Sequence, residues 1–120
     1  YVVKERDAQQ LYRISGLRPT LAGNLQLDIR DLSAWVDAAG VSKDLSAITV
    51  EPDSGHLLLL SDESQVVFEL GSDGALLDRR SLRAGGGLDA DIPQPEGVVL
   101  DSRGELFVVS EPNLFYRFVR

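Results

Sequence analysis

One pattern recurs three times along the 120 residues: a three-residue apolar strand, a polar residue, an acid, a short polar turn, and a second strand that carries an aromatic. The copies lie at 1–14 (YVVKE, then LYRI), 58–70 (LLLSD, then VFEL) and 107–118 (FVVSE, then FYRF). Their acids are Glu5, Asp62 and Glu111, spaced 57 and then 49 residues apart. Such a repeat constrains the fold more than any single motif does. Each copy buries too little surface alone and is stable only when stacked on its neighbours.

The second and third copies also share what precedes them. Residues 44–55 (DLSAITVEPDSG) and 94–104 (QPEGVVLDSRG) both read as a small-residue start, a β-rich strand and an Asp-Ser turn closed by glycine. Glycine suits that position because the turn needs a positive φ that a side chain resists. After the second copy, GSDG at 71–74 turns into a fourth strand at 75–81. Four short antiparallel strands in about 40–50 residues are the signature of a β-propeller blade. The expected fold is therefore all-β: a β-propeller fragment of about two and a half four-stranded antiparallel blades, with pieces at about 1–30, 44–81 and 94–120. Segment 16–43 fits the repeat least well. Within it LQLDI at 25–29 alternates like an outer strand, and 31–39, which holds Trp35, fits either a short helical turn or an inter-blade loop. Segment 82–95, with three consecutive glycines and two prolines, reads as an irregular connection.

Composition narrows the function classes. With 12 Lys+Arg against 19 Asp+Glu, the net charge of -7 argues against nucleic acid, whose phosphates are held by cations. The longest purely apolar run is four leucines at 57–60, too short to span a bilayer. No cysteine is present, so disulfides, thiolate nucleophiles and Cys-based zinc sites are excluded, and the single histidine leaves one base for any Ser-His-Asp triad. The opening at Tyr1 has neither Met nor signal peptide and reads as a cut from a longer protein, a cut that could have removed a targeting segment.

The chemistry-bearing candidates are carboxylates. The start of a blade's inner strand faces the ring axis, where Glu96 and its nearest counterpart Asp44 are candidate ligands for Ca²⁺ or Mg²⁺, hard cations that take oxygen donors. Asp91 is an outlying addition. The competing reading is that these acids cap backbone N–H groups at tight turns. The recurring Glu5, Asp62 and Glu111 fit two roles likewise: acceptors for the N–H groups of the turn that follows each, such as Glu63 and Ser64, or an acidic ring at one mouth of the channel that contacts a cationic ligand or metal. His56 reads as an exposed turn residue, since no Gly-x-Ser-x-Gly elbow offers it a nucleophile. The triple glycine at 85–87 lacks the Lys and Ser/Thr of a phosphate loop. Arg79, Arg80 and Arg83 read as a solvated strand edge that discourages edge pairing, and Phe115, Tyr116 and Phe118 as packing between blades.

The words GHLLLLSDES (55–64), DIPQPEG (91–97) and LFVVSEPNLFYRF (106–118), with VVKERD (2–7) and Leu11-Tyr12, closely resemble the C-terminal half of the SdiA-regulated domain family. The resemblance departs at 46–48, where the family usually has Ser-Gly-Leu and this chain has Ser46, Ala47 and Ile48. It implies a β-propeller about twice this length, a cell-envelope location in Gram-negative bacteria behind a signal or anchor, and no established activity. The leading functional expectation is a module that binds a ligand or protein partner at the channel mouth, with a divalent cation, Ca²⁺, in the channel. The alternative is a metal-dependent hydrolase of phosphoesters or lactones. Half a ring also leaves two uncovered apolar blade faces, from which self-association is expected.

Overall fold

The computed structural model describes residues 1–5, 10–40 and 44–119. The described strands are β1 (Val2–Lys4), β2 (Gln10–Ser15), β3 (Asp28–Asp31), β4 (Ala47–Val50), β5 (Leu57–Ser61), β6 (Val66–Leu70), β7 (Leu76–Ser81), β8 (Pro95–Leu100), β9 (Leu106–Ser110) and β10 (Leu114–Phe118). Two short helices, α1 (Leu17–Leu21) and α2 (Ser33–Ala39), flank β3. The strands form three antiparallel sheets, β1-β2-β3, β4-β5-β6-β7 and β8-β9-β10, each a meander of chain neighbours. This is the architecture of a β-propeller fragment.

Register makes the repeat structural. Val3 pairs with Leu11, Leu60 with Val67, and Val109 with Phe115, and each pair sits two residues before its blade's acid. The middle sheet carries all four strands of a blade. The first sheet corresponds to its last three strands and the last sheet to its first three. Strands β4 and β8 run side by side, as inner strands do around an axis.

The core forms between the sheets. Leu57 and Leu59 of β5 point into a cluster with Leu11, Val36, Leu45 and Phe68, on the side of the first sheet. Their neighbours Leu58 and Leu60 point the other way, into a cluster with Val67, Leu82, Ile92 and Val108, on the side of the last sheet. Alternate residues of a strand face opposite sides, so four consecutive buried leucines require cover on both faces. Full burial of each such side chain is worth about 1.5–3 kcal/mol.

Of segment 31–39, open between helix and loop in the sequence, Ser33–Ala39 is helical and Asp31 closes β3. Asp31 starts the helix by accepting from the Ser33 N–H at 2.9 Å, and Ser33 Oγ accepts from the Leu11 N–H, tying α2 to β2. Val36 is then fully buried, and the Trp35 ring lies on Gly74 so closely that a Cβ there would come within 2.4 Å of it. The outer strand expected at 25–29 instead spans Asp28–Asp31, and the helix α1 before it was not anticipated. The alternation of LQLDI is genuine, but the Gln26 N–H bonds Thr20 Oγ1 in α1, and ladder pairing begins only at Asp28 opposite Ser15. Residues 82–94 form an irregular connection with one isolated bridge, Gly85 to Leu88; from it Leu82 and Ile92 are buried between the middle and last sheets.

Candidate functional site

Glu5 follows β1, Asp62 follows β5 and Glu111 follows β9, so the same strand end in all three sheets presents an acid. Glu96 joins them from β8. Pro95 pairs with Ser110 and Gly97 with Val109, which leaves Glu96 as the extra residue of a bulge. A bulge re-aims a side chain that regular pleating would send elsewhere. Gly97 permits this close approach, because a Cβ at that position would lie 2.6 Å from the Val109 Cγ2.

The electrostatics show that these acids feel one another. The Glu96 carboxyl is held above its ordinary range, first by partial desolvation and then by the negative charges of Glu5, Glu111, Asp62 and Asp44. Asp62 is also raised, by desolvation and then by Asp44, with a smaller push from Glu5 and an opposing hydrogen bond from Gln65. Five of the six carboxylates singled out in the sequence, all but Asp91, therefore belong to one field of negative charge, drawn from three sheets. Among the described residues, no ion pair involves Glu5, Asp62, Glu96 or Glu111. A repulsive cluster of carboxylates is a place where a positive charge is favoured.

The five are not equivalent. Asp44 is buried and works as a tie for the middle hairpin: its carboxylate accepts from Ser61 Oγ, from Ser46 Oγ at 3.2 Å and from the Glu63 N–H at 3.1 Å. The ladder places Glu96 level with Ser46, since Ala47 pairs with Leu60 where Gly97 pairs with Val109. Asp44 thus lies two residues earlier than the counterpart of Glu96. Asp62 accepts from Gln65 Nε2 at 3.0 Å, while the turn amides expected to bond it go elsewhere, Glu63 N–H to Asp44 and Ser64 N–H to Ser61 Oγ. The corresponding turn after Glu5 lies outside the described residues. In the last sheet Ser110 Oγ donates to the Pro93 carbonyl and the Glu111 N–H bonds the Gln94 carbonyl, so a serine one residue before the acid supports this rim in both sheets. Ser46, Ser61, Ser110 and Gln65 were not visible as site residues in the sequence; only the recurring Ser-acid pair at 61–62 and 110–111 hinted at them.

Other candidates resolve into structural roles. Among the described residues, no group of three or more His, Asp or Glu side chains is placed to hold a metal ion. Asp91 accepts from the Ala84 N–H at 2.7 Å within the irregular connection. His56 is half-buried rather than an exposed turn residue, with Nδ1 2.7 Å from Glu69 Oε1 on the neighbouring strand. Arg80 does more than solvate an edge: its guanidinium stacks 4.6 Å above the Phe118 ring and spans the middle and last sheets. Tyr116 and Phe118 pack between those sheets, whereas Phe115 lies on the outer face against Phe107, ring centroids 5.5 Å apart.

Stacked antiparallel meanders of three and four strands, with β4 and β8 side by side, define part of a β-propeller. The model of the SdiA-regulated family matches residues 1–119, and the chain belongs to that family. The match runs through 16–43, the stretch the sequence motifs left uncovered. No described helix is long and apolar enough to cross a membrane.

Proposed function

We propose that this chain is a recognition module whose binding surface is the acidic rim of Glu5, Asp62, Glu96 and Glu111, with the buried Asp44 holding the middle hairpin beneath it. Its partner is a cationic ligand or a basic segment of a protein, with Ca²⁺ as a weakly held counter-ion of the rim, since no three described acids are placed to hold one ion. The observation that carries this reading is the placement of Glu5, Asp62 and Glu111 at the same strand end of three sheets, with the bulge at Glu96 beside them; the Glu96 carboxyl is accordingly raised, first by desolvation and then by the charges of the other acids. A cation bound there removes that repulsion, and the rigid sheets supply the rim without needing to reorganise. The cell-envelope setting expected from the family suits a weak site of this kind, since extracellular calcium modules bind with dissociation constants of about 10⁻⁴–10⁻³ M.

Thermal melts with Ca²⁺, with spermidine and with chelator test it. Both cations are expected to raise the melting temperature at pH 7, less so in Glu96→Gln, and to do nothing at a pH low enough to protonate the rim. An equal response in wild type and Glu96→Gln removes the rim as the site. The hydrolase alternative needs several oxygen ligands on one ion, and it gains support only from turnover of aryl esters, lactones or phosphoesters that Glu96→Gln abolishes.

A further inference from the structure

The first and middle sheets bound a cleft of about 300 Å³, toward the strand ends opposite the acidic rim. Arg13 of β2 and Arg30 of β3 line it from the first sheet, and Leu57 of β5 lines it from the middle sheet. Leu32 and Trp35, around the start of α2, extend its apolar wall. Val3 and Leu11 of the first sheet pack against Leu57 and Leu59 of the middle one, so the cleft belongs to a joint that described residues form from both sides. Among the residues lining it there is no Asp or Glu, although the chain carries 19.

Arg13 and Arg30 are register partners on neighbouring strands, and like charges directly opposite each other destabilise a sheet. Register makes Glu69 and Asp78 their counterparts in the middle sheet, and these two line the matching cleft of the next joint. The two joints thus hold charge pairs of opposite sign at one place in the repeat. Glu69 has a partner in His56, whose Nδ1 lies 2.7 Å from it. Of the two arginines, Arg30 has Asp28 at 3.2 Å on its own strand, whereas among the described residues Arg13 makes no ion pair.

We infer that this cleft binds a small organic anion, with a phosphate or carboxylate group bridging the Arg13 and Arg30 guanidinium groups and an apolar portion against Leu32, Trp35 and Leu57. Arginine presents a planar fork of N–H donors that matches either oxyanion. An anion between the two turns their mutual repulsion into attraction toward a shared partner. The apolar wall keeps water from one side of that contact, which strengthens it. The site is separate from the acidic rim and takes a ligand of opposite charge.

Trp35 is the single tryptophan, so its fluorescence reports on the cleft. The probes are phenyl phosphate and benzoate, with benzyl alcohol supplying the apolar part without the charge. At least one of the two anions is expected to give a saturable change, and benzyl alcohol none at the same concentrations. Arg13→Gln and Arg30→Gln are each expected to weaken that binding at least about tenfold, the loss of a charge-assisted hydrogen bond. Arg83→Gln, which removes an exposed charge from the connection between the middle and last sheets, leaves it unchanged. Nitrogen-15 NMR of the arginine Nε–H groups locates the site in the unsubstituted chain, whatever the variants do to folding: the Arg13 and Arg30 signals shift with the same midpoint as the fluorescence. Phenyl phosphate acting alone makes the bound group a phosphate, and benzoate acting alone a carboxylate; either supports the inference. Silence from both anions overturns it. So does binding that survives Arg13→Gln and Arg30→Gln intact, or an equal shift at every arginine signal, which marks a nonspecific effect of charge.

Discussion

The middle and last sheets carry the same repeat and end up in different environments. Leu58 and Leu60 of β5 are buried, while their counterparts Phe107 and Val109 are half-buried and exposed. Nothing in the strands themselves accounts for this, since both runs are apolar at the same positions and pair in the same register. The difference comes from what lies on either side. Burial here is a property of the stack and not of the strand, which is how a repeat architecture distributes its stability.

The sharpest way to break that comparison is to truncate a covered side chain of the middle sheet and an open one of the last sheet. Leu59→Ala in the middle sheet removes a side chain with 0% exposure, and urea unfolding is expected to show a loss of about 2–5 kcal/mol. Val99→Ala, on the open face of the last sheet, is expected to cost within about 0.5 kcal/mol in the isolated chain. Similar losses from the two would mean that the sheets are not stacked as described.

Asp44→Ala comes next. It strips the middle hairpin of an acceptor for two hydroxyls and one amide, and a loss of about 1–3 kcal/mol is expected, with faster hydrogen exchange at the Glu63 amide. Gly74→Ala should follow at about 1–2 kcal/mol, because the backbone there has φ 85° and the Trp35 ring occupies the space a Cβ needs. Loss of Trp35 fluorescence anisotropy in that variant would show α2 loosening from the middle sheet.

The smallest effects separate the two ends of the strands by sign. Asp101 is held below its ordinary range by hydrogen bonds from the Glu105 N–H and from Arg103, and Glu105 by hydrogen bonds from Arg117 and by the Arg103 charge. Their stabilisation is present above the ordinary carboxylate range and is lost as pH falls through the lowered values. Glu96 and Asp62 are raised, so the folded chain holds their protons to higher pH and loses stability as pH rises through that window. Glu105→Gln is therefore expected to lower the neutral-pH melting temperature and flatten the acid limb. Glu96→Gln should raise that temperature slightly, on the order of 1–2 °C given solvent screening. Melts from pH 3 to 8 check both signs.

Much of this was legible because it depends on short patterns. The threefold strand-acid-turn-strand pattern announced hairpins stacked side by side, and the recurring acids at 5, 62 and 111 announced a shared strand end. What the sequence concealed depends on register across strands, which no local pattern records. Asp44 looked like the partner of Glu96 because each precedes an apolar strand, yet the ladder puts Ser46 at that level and the bulge at Glu96 exists only in the paired sheet. The His56–Glu69 contact joins residues thirteen apart that only the β5–β6 hairpin brings together. At 25–29 a correct alternation was overruled by a bond to α1, a helix whose five residues carry too short a period to be read.

The claim at the centre of this account is that acids from separate sheets crowd one another around Glu96. A ¹³C-detected NMR titration of the Glu96 side-chain carboxyl reads it directly. The account predicts a midpoint above the ordinary glutamate value in the wild-type chain, falling toward that value when Glu5 and Glu111 are both replaced by glutamine. A midpoint at or below the ordinary value, unmoved by the double substitution, would contradict it.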